Sequence, residues 1–128
     1  AAKSAYEMAG VSDPVKQLDL AEVYDAFTGA ELQSLEALQV VKEGEAAAAM
    51  MAGKFDSGGQ LPVNLSGGLI GQGGAPGATG IAQAVTVERL LTGRYHNQKS
   101  KMDYRRGVID VHGGICTIAA VHVLERVD

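Results

Sequence analysis

The chain has 128 residues, 46% apolar and 20% charged, with a formal net charge of −4. That is one domain's worth of chain, with enough apolar content for a core. Weak net charge with both signs interspersed argues against a nucleic-acid partner and a membrane-surface role, and no apolar run of about eighteen residues is present to span a bilayer.

The N-terminus lacks the basic-then-apolar pattern of a secretion signal. Ala1 opens the chain without Met, which reads as a fragment or a processed chain. Cys116 is the single cysteine, so no internal disulfide can form, and cytoplasm is the default compartment. In its apolar run it reads as a small core hydrophobe. His96, His112 and His122 share no ligand spacing with it or with each other, so no metal is expected.

Residues 2–9 read as a helix, with Ala2, Ala5, Tyr6 and Ala9 on one face and Gly10 as its stop. Ser12-Asp13-Pro14 reads as a turn, and residues 18–24 as a strand. Thr28 is expected to cap a helix over residues 30–40, with Glu31 at capping-box spacing and Leu32, Leu35 and Leu38 as the buried stripe. Residues 45–51 are alanine-rich and read as a short helix. Residues 53–80 are irregular, and a loop of that length in a small domain is usually functional.

A helix over residues 80–91 follows, carrying Ile81, Ala84, Val85, Val87, Leu90 and Leu91. Lys99, Lys101, Arg105 and Arg106 then mark a basic stretch, which reads as a solvated connection in preference to a phosphate contact. Residues 108–112 read as a strand and Gly113-Gly114 as a tight turn. Residues 115–124 are apolar enough for a strand buried on both faces. One crossover followed by a hairpin predicts an α/β fold: a mixed β-sheet with flanking helices.

The most informative stretch is Asn64-Leu65-Ser66-Gly67-Gly68-Leu69-Ile70-Gly71-Gln72-Gly73-Gly74-Ala75-Pro76-Gly77-Ala78-Thr79-Gly80. Glycine at this density costs backbone entropy, so the backbone shape itself must be required. A glycine loop entering a helix aims amides and a positive dipole end at one point, where an anion or a developing oxyanion can sit. Pro76 occupies the last glycine position of a dinucleotide-binding fingerprint, and no Gly-Lys-Ser/Thr follows, so the common phosphate loops do not fit.

Taken with the preceding Leu61-Pro62-Val63, the pattern Asn64, Gly67, Gly68, Gly73, Gly77, Ala78, Thr79, Gly80 resembles a glycine motif of the thiolase family. Leu20-Ala21-Glu22-Val23-Tyr24-Asp25-Ala26-Phe27 and the continuation Thr28-Gly29-Ala30-Glu31-Leu32 are similar to that family's sterol-carrier-protein branch and its archaeal and bacterial relatives. The segment from Gly113-Gly114 to Arg126 resembles the family's closing hairpin. The resemblance spans the whole chain but only the C-terminal half of a thiolase. It implies that residues 1–128 are one thiolase-like C-terminal domain whose N-terminal half, with the nucleophilic cysteine and most of the coenzyme A groove, is absent.

Ala75 stands where the family has Pro, with Pro76 one position later, and three functional positions depart from the family pattern as well. Gly74 stands where the family has a catalytic His, Tyr24 where it has Asn or His, and Val111 where many members carry an acid/base Cys. The resemblance implies that Tyr24, Gly74 and His112 sit at the catalytic end, and that Asn64, Gly73, Gly77 and Gly80 approach the substrate. Tyr24, Asn64, Gly73, Gly74 and Gly80 are expected to converge at the thioester oxygen, with Gly74 leaving room where the family carries its imidazole. Some aldolase relatives in this branch also use tyrosine. A packed strand-end tyrosine is the structural alternative for Tyr24.

The resemblance thus implies half of an acetyl-CoA acetyltransferase-like enzyme, inactive alone. Its substrate would be a coenzyme A thioester, and no covalently bound cofactor is expected. Retro-aldol cleavage and a non-catalytic partner subunit are the alternatives. An N-terminal thiolase half or a partner subunit is expected, together with homo-oligomerisation, because an isolated half should expose an apolar face above about 400 Å².

Overall fold

The computed structural model describes residues 1–96, 103–114 and 117–127. Cys116, Lys99, Lys101 and the first two residues of the expected last strand lie outside the described residues. Along the chain come α1 (Ala2–Ala9), α2 (Pro14–Gln17), β1 (Leu20–Glu22), α3 (Thr28–Ala37), α4 (Ala46–Met51), α5 (Gly68–Gln72), α6 (Thr79–Leu91), β2 (Arg106–Gly113) and β3 (Ile118–Glu125). The sheet order is β1-β2-β3. β1 runs parallel to β2, with Ala21 opposite Val108, and β2 pairs antiparallel with β3, with Ile109 opposite His122. This is the mixed sheet with flanking helices that the element order implies.

Local chemistry explains most boundaries. α1 ends where Gly10 turns left-handed at φ 65°, and the Tyr6 hydroxyl donates to the Leu38 carbonyl at 2.7 Å, tying α1 to the end of α3. The expected turn at Ser12-Asp13-Pro14 instead leads into one turn of helix. Pro14 opens it, and the Gln17 side-chain oxygen accepts the Ser12 and Asp13 amides at 2.7 Å each.

The expected capping box at Thr28 is absent. Thr28 is the first helical residue, Phe27 is the cap position, and no side chain bonds the helix start. The Phe27 carbonyl takes the Ala30 and Glu31 amides. The expected irregular stretch 53–80 contains α5 and reaches α6 at Thr79.

Each face of the sheet has its own core. Ala21, Val23 and Val108 pack with Tyr6 of α1, Leu35 of α3 and Leu38 just after it. On the other face Leu20 and Ile109 pack against Val87, Leu90 and Leu91 of α6. Burying a side chain of this size stabilises by about 1.5–3 kcal/mol. Gly107 brings α6 down onto the sheet, since a Cβ there would lie 2.7 Å from Val87 Cγ1.

The two outer strands differ. β1 is covered on its far side by residues 62–64: the Ala21 amide donates to the Pro62 carbonyl, and the Asn64 amide donates to the Ala21 carbonyl. β3 is half-buried to exposed along its whole length, so the expected burial on both faces does not occur in this chain. One of its faces looks onto an open cavity.

Candidate active site

The end of β1 and the glycine loop are bound to each other. Asn64, itself at φ 51°, accepts the Val23 amide on Oδ1 at 2.8 Å. Two residues on, the Ser66 amide and hydroxyl donate to the Glu22 carboxylate at 3.0 and 2.6 Å. Ser66 Oγ in turn accepts the Gly68 amide at 3.0 Å. The Asp25 carboxylate accepts the Leu69 amide at 2.6 Å, at the first turn of α5. Burial holds the Glu22 carboxyl above the usual carboxylate range; the Ser66 donors oppose this, and the Asp25 charge adds to it.

Beyond α5 the chain turns at Gly73 (φ 92°) and Gly77 (φ 82°), conformations that glycine adopts without strain. The Thr79 side chain closes the next turn, its Oγ accepting the Ala75 amide at 3.0 Å. The Ala78 and Thr79 amides fold back onto the Ala75 carbonyl, so these two are already used. Gly80 then faces Val111 of β2, where an added Cβ would meet both valine methyls at 3.4 Å. Gln83, one turn further into α6, donates to the Asp110 carbonyl at 3.2 Å.

These elements bound a cavity of about 920 Å³ whose wall includes Tyr24, Gly77, Gly80, Val111 and His112. The Tyr24 and His112 rings lie 6.0 Å apart at 38°. His112 Nε2 is 2.9 Å from Oδ2 of the buried Asp110 carboxylate, close enough for an ion pair when the ring is protonated. The rest of the wall is mostly apolar and includes Ile81 of α6 and Ile118 of β3.

The structure therefore gathers four of the seven sequence-predicted site residues, Tyr24, Gly77, Gly80 and His112, on one cavity. Asn64 lines a separate depression beside Glu31 and Gly67, with its Oδ1 taken by the Val23 amide. Gly73 and Gly74 stand off the cavity wall, and a Cβ at Gly74 would lie 3.1 Å from Leu69 Cδ2, so the space there is bounded by a leucine side chain.

Sequence reasoning passed over Glu22, Asp25, Ser66 and Asp110. The available signal was two acids inside or beside apolar strand runs, Leu20-Ala21-Glu22-Val23 and Val108-Ile109-Asp110-Val111. Acids in such places are buried only when paired or hydrogen-bonded. Among the described residues no three His, Cys, Asp or Glu side chains cluster to hold a metal, and no helix is long and apolar enough to cross a membrane.

The fold and the site define an α/β domain whose glycine loop is clasped to a strand end beside a Tyr–His cavity. The family described as thiolase C-terminal domain-like matches residues 1–126, and the chain belongs to it. It is 36% identical over 126 residues to an acetyl-CoA acetyltransferase of Methanothermobacter thermautotrophicus, covering 98% of this chain and 32% of that protein. It is 40% identical over 93 residues to sterol carrier protein 2 of Homo sapiens, covering 73% of this chain and 17% of that protein. A solved structure described as an Ltp2-ChsH2(DUF35) aldolase superposes with a TM-score of 0.73 at 29% identity, over 85% of this chain and 27% of that one. The chain thus spans about a third or less of the length of each.

Proposed function

We propose that this chain is the C-terminal half of a thiolase-like enzyme that makes or breaks a carbon–carbon bond beside a coenzyme A thioester. A second thiolase-like half completes the site, and without it the domain is inactive. The observation that carries this reading is the cavity shared by Tyr24, His112 and the Gly77–Gly80 turn. It offers a phenol donor for an oxyanion and an imidazole for proton transfer.

Within this class the side chains favour retro-aldol cleavage over acyl transfer. In cleavage, a base takes the proton of a β-hydroxyl and the Cα–Cβ bond breaks. The β carbon leaves as a carbonyl compound, and the electron pair moves onto the thioester oxygen as an enolate. Tyr24 donates a hydrogen bond to that oxygen, and Cα is then protonated to give the shortened acyl thioester. No cysteine is needed. Acyl transfer in the family pattern uses groups at positions that hold Gly74 and Val111 here.

Acyl transfer remains the second reading, favoured by the match to the acetyltransferase along nearly the whole chain. The whole protein, offered a 3-hydroxyacyl-CoA and separately an acyl-CoA with free coenzyme A, separates the two. Release of a carbonyl compound and a shortened acyl-CoA supports cleavage. Coenzyme A-dependent acyl exchange that a thiol-alkylating agent abolishes supports transfer. Neither product, with the chain co-purifying with an active partner, supports a non-catalytic subunit and overturns both.

A further inference from the structure

Two buried acids at the end of β1 take no part in that chemistry. Glu22 is 1% exposed and Asp25 is 4% exposed. Sinking a carboxylate is costly unless it is hydrogen-bonded. Here the compensating bonds all reach one short segment, residues 66–69. That segment needs outside support. Gly67 and Gly68 both have positive φ and carry no side chain to pack, and the five-residue α5 is too short to hold itself.

The geometry points to Glu22 and Asp25 as positioning residues that hold the glycine loop, residues 64–80, at a fixed height over the Tyr24–His112 cavity. This role rests on reading that cavity as the thioester site. Tyr24 lies in sequence between the two acids, so the piece of chain that presents the phenol also grips the loop facing it. The Asp25–Leu69 bond fixes the start of α5, and α5 runs into Gly73 and the turn that forms the cavity wall. A displacement of 1 Å between facing catalytic groups costs about a hundredfold in rate.

The test compares Asp25→Ala, Asp25→Asn and Glu22→Ala by amide hydrogen exchange and by turnover of the whole enzyme. In Asp25→Ala, exchange across residues 66–80 should speed up by about tenfold or more, the worth of a hydrogen bond to a charged group. Exchange in α1, β2 and β3 should stay as in the wild type. Turnover should fall with KM changed less, and Asp25→Asn, which keeps an oxygen for the Leu69 amide, should restore much of both. If Asp25→Ala does not fold, the same local loosening, at smaller amplitude, is required of Glu22→Ala, which removes both acceptors of the Ser66 donors.

Unchanged exchange at residues 66–80 overturns the proposal, as does loosening spread evenly over the chain. A loosened loop with full turnover overturns it when Tyr24→Phe is inactive. If Tyr24→Phe is also fully active, the catalytic reading of the cavity fails, and the positioning role fails with it, although the clasp itself stands.

Discussion

The Asp25 carboxylate occupies the space where a side chain at Gly68 would begin. A Cβ at Gly68 would collide with the Asp25 carboxyl oxygens, and the Gly68 backbone already sits at φ 63°. The acid cannot retreat, because it is buried and bonded to the Leu69 amide. Of the two adjoining glycines, Gly67 has milder contacts, with an added Cβ 3.5 Å from Gly71 Cα. The invasion of one motif by a side chain of the other makes the clasp specific.

Gly68→Ala should therefore destabilise the protein by about 3 kcal/mol, combining left-handed strain with overpacking. Gly71→Ala is the control. It sits within α5 with nothing within 4 Å of an added Cβ, and should be neutral or slightly stabilising. Denaturant midpoints of the two variants check this, and equal midpoints would remove the steric argument.

Glu22 makes stability depend on pH. Its folded pKa is raised, by burial first and then by Asp25 against the Ser66 donors. The folded state therefore holds its proton to higher pH than the unfolded chain does. The Glu22 contribution is fully present below the ordinary value of about 4.5 and is lost as pH rises through the raised one. The stability of Glu22→Gln relative to the wild type should improve as pH climbs from about 4 toward neutrality. The gain is about 1.4 kcal/mol for every tenfold by which folding weakens the acid. Urea unfolding of both proteins over that range gives the answer, and parallel stability curves would show that Glu22 is not perturbed.

How much of this was legible depended on whether the cause was local. α1 was readable to the residue because its stripe and its left-handed Gly10 lie in one short window. The mixed sheet followed from the order of elements. The strand expected over residues 18–24 is shorter for a non-local reason. Asp19 Oδ2 takes the Arg105 and Arg106 amides before it, and Asn64 takes the Val23 amide after it, so side chains replace strand partners. Both acid contacts of the clasp span 44 residues, beyond any periodicity argument. Apolar composition alone suggested two-sided burial for β3, but composition does not say whether the covering layer belongs to the same chain.

That uncovered layer predicts association. Ile81 is 68% exposed and Ile118 70%, and both line the cavity. An apolar surface this open seeks a partner. The chain should self-associate as concentration rises, and Ile118→Lys should weaken association while leaving the fold intact, because the side chain already faces solvent. Sedimentation velocity measures both. A wild-type chain that stays monomeric at high concentration would count against an interaction face here.

Tyr24 is the residue on which the proposed chemistry turns. It lies two residues beyond β1, is half-buried, lines the cavity and stands 6.0 Å from the His112 ring. If its hydroxyl bonds the thioester oxygen, the bond strengthens only as negative charge develops there, so removing it should spare binding and slow the chemical step. In the whole enzyme, Tyr24→Phe should lower turnover by about 10²–10³, the usual loss for one oxyanion donor, with KM changed much less. Phenylalanine keeps the ring and its packing, so stability should hold within about 0.5 kcal/mol. The companion change Asp110→Asn replaces the carboxylate beside His112 Nε2, and should also lower turnover if His112 moves a proton. Steady-state kinetics of both variants beside their unfolding curves decide the matter. If Tyr24→Phe turns over like the wild type at equal stability, this tyrosine is part of the packing, and the enolate is stabilised by some other group.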